Sequence, residues 1–224
     1  MLIVIGETLP LAIAIAFSPL GIVAVIVMLL SRYPRASSAS FVIGWASGIS
    51  AIAVAGYALA ALLPDTGEDA PRRIAAPLTL IVLGVISIGL AIRQWRARPA
   101  ADEEVALPTW MSRIDGLTAL RSFAFGVVLA ATKPKNIILA FGSGVAAAGA
   151  GLAGAQALIV LGVFLAFASI SMGAPVIAYL IAGDRIRGPL TSVREWLVRH
   201  NAAMLGVILL FLGVVLVGNG IAAL

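Results

Sequence analysis

Lys133 and Lys135 are the only lysines in the chain, and they flank Pro134 inside an otherwise apolar run from Phe123 to Ala148. On membrane-insertion scales each ammonium at the centre of a span costs roughly 2.5–3.5 kcal/mol. A chain that places both there is expected to use them on something negatively charged. Pro134 adds to that expectation. A proline inside a helix removes one backbone bond, clashes with the carbonyl four residues back (here Ala130) and disfavours helical geometry at the residue before it. On an unbroken helix Lys133 and Lys135 would point to different faces, whereas a break at Pro134 can turn both toward one cavity. The second half-helix would then start near Lys135-Asn136 and offer free N–H groups at its positive dipole end. That combination fits phosphate, sulfate or carboxylate.

Ser18-Pro19 is a second pair of the same kind, a capping residue followed by proline at the first helical position. The carbonyl released there would be that of Ile15. The predicted substrate-binding residues are therefore Lys133, Lys135 and Asn136 with Pro134, and Ser18 with Pro19. Catalytic and metal-binding residues are not expected. The chain has no cysteine and one histidine, His200, which argues against thiolate sites, a thiol relay and a histidine cluster. It also lacks a Walker sequence, a paired-carboxylate arrangement and a nucleophile with a nearby base. Gly149-Ala-Gly151-Leu-Ala-Gly154 matches the spacing of a dinucleotide fingerprint, but it lies between apolar segments with no βαβ unit around it. The reading is a protein that is not an enzyme and needs no cofactor.

The elements that must position these residues are spans of a membrane. With 62% hydrophobic and 11% charged residues and a mean hydropathy of +1.11, the composition is far from that of a soluble domain. A bilayer core needs about 20 apolar residues in a helix. Six stretches qualify, at roughly 8–30, 39–63, 75–95, 122–148, 153–182 and 202–222, and 122–148 and 153–182 are longer than needed. The segment before residue 8 shows no basic region and no cleavage signature, and reads as part of the first span. The prediction is an all-α integral membrane protein, one domain over 1–224, with a cytoplasmic linker at about 96–120.

Arginines set the orientation. Arg32 and Arg35, then Arg93, Arg96, Arg98, Arg113 and Arg121, then Arg185, Arg187, Arg194 and Arg199 follow the first, third and fifth spans, against Arg72 and Arg73 on the other side beside Asp65, Glu68 and Asp69. Eleven against two places the first group in the cytoplasm and both termini outside. The formal charge of +5 thus reports topology, with attraction to anionic membrane lipid, rather than nucleic acid. Trp95 and Trp196 fit interfacial anchors, Trp110 a dip into the interface, and Glu7 a solvated rim.

The two proline motifs also suggest an internal repeat. Ser18-Pro19 corresponds to Lys133-Pro134, Gly44 in Phe41-Val-Ile-Gly44-Trp to Gly162, and Leu83-Gly84-Val85-Ile86 to Leu205-Gly206-Val207-Ile208, at offsets of 115, 118 and 122 residues. Three spans per copy is an odd number, so the second copy enters from the opposite side, giving two inverted three-helix repeats (about 1–98 and 121–224) with proline-broken first and fourth spans. Among the other polar residues within spans, Ser47, Ser50, Ser169, Ser171, Gln156, Tyr57 and Tyr179 are expected to satisfy backbone groups or pack helices. The small-residue series Ser40, Gly44, Gly48 reads as a close-approach face. Met172-Gly173-Ala-Pro175 reads as a further break or kink.

With Phe17-Ser-Pro-Leu-Gly21, Thr132-Lys-Pro-Lys-Asn136 and the three-plus-three repeat, the chain resembles the GAP family of actinobacterial membrane proteins, also called the sulfolipid-1-addressing protein family, of the lysine exporter (LysE) superfamily. The resemblance implies movement of cell-envelope glycolipids outward from the bacterial cytoplasmic membrane. Superfamily relatives export amino acids or metal ions, or pass reducing equivalents; the missing cysteines and buried carboxylates count against the last two. The expected function is export of an anionic or glycosylated lipid, its head group held at mid-membrane between repeats. An exporter of a small soluble solute, such as an amino acid or organic anion, and a scaffold subunit of a larger envelope-lipid export system are the alternatives. Glycine-rich faces in the second and sixth spans would permit a homodimer.

Overall fold

The computed structural model describes residues 1–62, 70–98, 114 and 116–222. Trp110, Arg113, Asp65, Glu68, Asp69 and most of the proposed linker lie outside them. The described residues are mostly helical and include no strands. In order the helices are α1 (Leu2–Ala16), α2 (Pro19–Leu30), α3 (Pro34–Leu62), α4 (Ala70–Arg96), α5 (Ala119–Ala131), α6 (Pro134–Gly149), α7 (Ala155–Ala182), a 3-10 turn (Gly183–Ile186) and α8 (Arg187–Ala222).

Most residues of each of the six apolar stretches lie in these helices. Among the described residues, two helical runs are individually long and apolar enough to cross a membrane, Pro34–Leu62 and the 68-residue run Ala155–Ala222. Two bent pairs qualify when each is taken together: α1 with α2, at 57°, and α5 with α6, at 79°. These helices make the chain a membrane protein.

Both bends sit at the predicted prolines. Pro19 and Pro134 each occupy the first position of the second half-helix, where a missing N–H breaks no bond and the fixed φ suits helix entry. The expected break at Met172–Pro175 is absent, because α7 runs unbroken through Pro175. One lost backbone bond is a small part of a 28-residue helix, and the buried Met172, Val176 and Tyr179 anchor it on both sides of the proline. Pro10, likewise, lies inside α1 without ending it. The polar stretch after the fifth span, expected as a connection, is instead the 3-10 turn and the start of α8. Its buried Leu190 and Leu197 are seven residues apart and share a face, which gives that part of α8 an apolar side to dock.

The chain forms two compact units. One comprises residues 1–63 and 107–195, the other 64–106 and 196–224. In the first, α3 lies along both halves of the α5–α6 pair. Glycines make the approach close: a Cβ on Gly44 would collide with the backbone of Phe123, one on Gly126 with the backbone of Phe41 and Trp45, and one on Gly144 with that of Ala53 and Tyr57. The small-residue face read from Gly44 and Gly48 is thus a packing face. Tyr57 Oη donates to the Leu152 carbonyl at 2.7 Å, joining the end of α3 to the turn before α7.

Successive contacts also fix directions. Val4 packs with Ala157 and Val160, Ser171 bonds the Ala16 carbonyl, and Gly21 faces Met172, so α1–α2 runs alongside α7 in the same sense. Gly44 at Phe123 and Gly56 at Phe141 show that α3 runs with α5–α6. Val4 also packs on Ala147, at the far end of α6, so the two broken pairs run in opposite senses. Arg32, Arg35, Arg121, Arg185 and Arg187 consequently gather at one end of this unit, exposed, and Glu7 is exposed toward the other.

In the second unit α4 packs against α8 through glycines. A Cβ on Gly84 would stand 2.7 Å from the Gly213 carbonyl oxygen, and one on Gly213 would stand 2.8 Å from that of Gly84. Gly206 faces Ala91 and Trp95, so the pair is antiparallel. Trp196 stacks on His200 with centroids 4.7 Å apart.

Candidate functional site

The two breaks meet. Lys133, which precedes Pro134, donates from Nζ to Oγ of Ser18, which precedes Pro19, at 2.6 Å. The two positions that correspond in the proposed repeat are therefore in direct contact, near mid-length of their broken pairs. Ser18 is buried at 1% exposure and its hydroxyl makes no cap bond to its own helix. It accepts from the lysine instead, which leaves its own hydrogen free to donate.

Lys135 turns another way. Its ammonium donates to the carbonyls of Ala14, at 2.9 Å, and Phe17, at 2.6 Å, at the end of α1. The last carbonyls of a helix have no partner within it and form the negative end of its dipole, so an ammonium is the natural group to meet them. Ser171, from α7, donates to the neighbouring Ala16 carbonyl. The end of α1 is thus capped by side chains from elsewhere in the fold.

Asn136 does the comparable work at the second break. It is fully buried, and its Nδ2 donates to the Ala130 carbonyl at 3.2 Å. This is the carbonyl that Pro134, four residues on, has no N–H to serve. Its other side-chain atom, Oδ1, is buried without a hydrogen-bond partner.

The electrostatics are one-sided. Neither ammonium is paired with a carboxylate among the described residues, and the two are near enough to repel each other. Two helix N-termini, those of α2 and α6, start at the same place. Phe17, Pro134 and Ile137 around the breaks lie exposed on the surface, so this concentration of positive charge borders the surface of the chain rather than lying sealed in the core. Among the described residues no group of His, Cys, Asp and Glu is arranged to hold a metal ion.

All six predicted residues therefore sit at one junction, but the two lysines diverge within it. One residue was missed. Trp45, in the middle of α3, is fully buried, and the Lys133 ammonium stands 5.7 Å from its ring centroid, within cation–π range. Its indole N–H has no hydrogen-bond partner. The available signal was a tryptophan at the middle of a span, away from the interfacial positions such residues prefer.

The family model for Sap, sulfolipid-1-addressing protein, matches residues 8–222. The chain belongs to this family. The match takes in both breaks and nearly every helix of both units. No curated protein and no solved structure matches the chain.

Proposed function

We propose that the protein exports an anionic or glycosylated cell-envelope lipid across the bacterial cytoplasmic membrane, holding the head group at the junction of the two breaks while the acyl chains stay in the bilayer. The observation that carries this reading is the pair of ammonium groups at mid-span without a carboxylate partner among the described residues. Such groups are expensive in a membrane and mark substrate pathways. The family name adds a sulfolipid connection. The exposed Phe17, Pro134 and Ile137 beside the lysines favour sideways entry of a lipid over an enclosed route for a soluble solute.

The opposed directions of α1–α2 and α5–α6, and the contact between Ser18 and Lys133, support two inverted repeats with the site at their interface. The arginine-bearing end faces the cytoplasm in this reading, which places the termini outside. With no nucleotide-binding sequence in the chain, flux is driven by a gradient or by a partner.

The test is reconstitution into vesicles that carry a head-group-labelled anionic lipid, with a zwitterionic lipid as reference. The wild-type protein should speed transfer of the anionic lipid between leaflets. Replacing both Lys133 and Lys135 by Gln should slow it at least roughly tenfold, about 1.4 kcal/mol in barrier height. Wild-type rates no faster than protein-free vesicles, or an unaffected double variant, would overturn the proposal.

A further inference from the structure

Lys133 alone gives charge to a bound head group but little direction, because an ammonium is a compact point charge with rotatable donors. Directed recognition needs further donors whose positions are fixed. Two stand beside it. The hydroxyl of Ser18 accepts from Lys133 and keeps its own hydrogen, and Trp45, whose ring lies under the ammonium at 5.7 Å to its centroid, has a buried indole N–H without an acceptor. Buried polar groups in folded proteins are nearly always paired, so an unpaired one calls for an explanation such as an absent ligand. Trp45 is held firmly where it is: α3 is locked on α5 by the close contacts of Gly44 and Gly48 on either side of it and of Gly126 facing its backbone.

We propose that Trp45 is a specificity-determining residue of the head-group site, its indole N–H and the Lys133 ammonium donating together to one oxyanion of the ligand. This rests on reading the junction of the breaks as the head-group site. The ligand's anion takes the ammonium from Ser18, and the freed hydroxyl serves as a third donor. Donors without a facing carboxylate select an oxyanion, whether a sulfate ester, a phosphate or a carboxylate, and disfavour a zwitterionic head group whose cation would meet Lys133. Lys135 acts differently, because its hydrogen bonds to Ala14 and Phe17 make it a positioning residue that fixes the end of α1.

Two measurements test this. A variant retaining Trp45 alone (Trp95, Trp110 and Trp196→Phe), in neutral detergent, is titrated with decyl sulfate, decyl phosphate and decanoate, and with decyltrimethylammonium as control. Trp45 emission should change saturably with at least one anion and not with the cation, and Lys133→Gln should weaken that response at least tenfold. The strongest of the three anions names the head-group class. In vesicles, Trp45→Phe keeps a ring under Lys133 but lacks the N–H. It should raise KM for the anionic lipid about tenfold, leave kcat nearly unchanged, and narrow the preference over the zwitterionic lipid. An emission that ignores all three anions, or a Trp45→Phe protein with wild-type KM and selectivity, overturns the inference. If the wild-type protein moves no lipid while Trp45 still responds to anions, the transport reading fails and the oxyanion site stands.

Discussion

The two breaks differ in how they are closed. At the second, between α5 and α6, the carbonyl released by proline is met from within the same broken pair, by Asn136. At the first, between α1 and α2, the carbonyls are met from outside, by Lys135 of α6 and Ser171 of α7. The second break can therefore be built before the first, and the first depends on it. Charge follows the same division, since both ammonium groups belong to the second break and the first contributes a hydroxyl and carbonyls. Two similar motifs have become an acceptor end and a donor end of one junction.

The comparison can be broken most severely at the helix that braces the second break. Gly44→Ala sets a methyl group against the Phe123 backbone, where neither helix can yield without parting. A loss of about 3 kcal/mol is expected, read as a fall in midpoint of unfolding in detergent. Lys135→Met should cost about 2 kcal/mol, because it strips two carbonyls at the end of α1 that water does not reach in a bilayer. If the first break depends on the second, cysteine labelling at Phe17 should accelerate in this variant. Asn136→Leu exposes one carbonyl and also removes the unpaired Oδ1, so about 1 kcal/mol is expected, with Phe17 labelling unchanged. Equal labelling in the two variants would refute the asymmetry. The smallest effect belongs to Gly21→Ala, whose new methyl meets the flexible end of Met172. A shift under about 0.5 kcal/mol is expected there, in contrast to Gly44.

The apolar stretches and both breaks were legible because their signals are local: span length, and prolines that cannot sit mid-ladder. That the six residues around the two prolines would gather was legible from the breaks themselves and from the cost of placing Lys133 and Lys135 inside an apolar run. Their partners were not. That Lys135 reaches the Ala14 carbonyl, 121 residues away, depends on two half-helices being laid side by side. Trp45 stood out only by its mid-span place, and its nearness to Lys133 depends on α3 being laid against the second break. Pro175 misled in the opposite direction, because a proline weakens a helix locally while its neighbours decide whether the helix gives way. The helical start of α8 was hidden by its arginines, although Leu190 and Leu197 carry the periodicity.

The glycine seam along α3 also has a mechanical meaning. Backbones in contact at Gly44, Gly126 and Gly144 engage like the teeth of a rack, so α3 cannot slide past α5 or α6 and must travel with them as a single block. The parts left to move are α1, α2 and α7, joined to that block near its middle by hydroxyl and ammonium contacts that can exchange partners. In the export reading proposed above, the working stroke is a rocking of one block on the other about Ser18 and Lys133, with the head group's anion prising apart the bearing on which it turns.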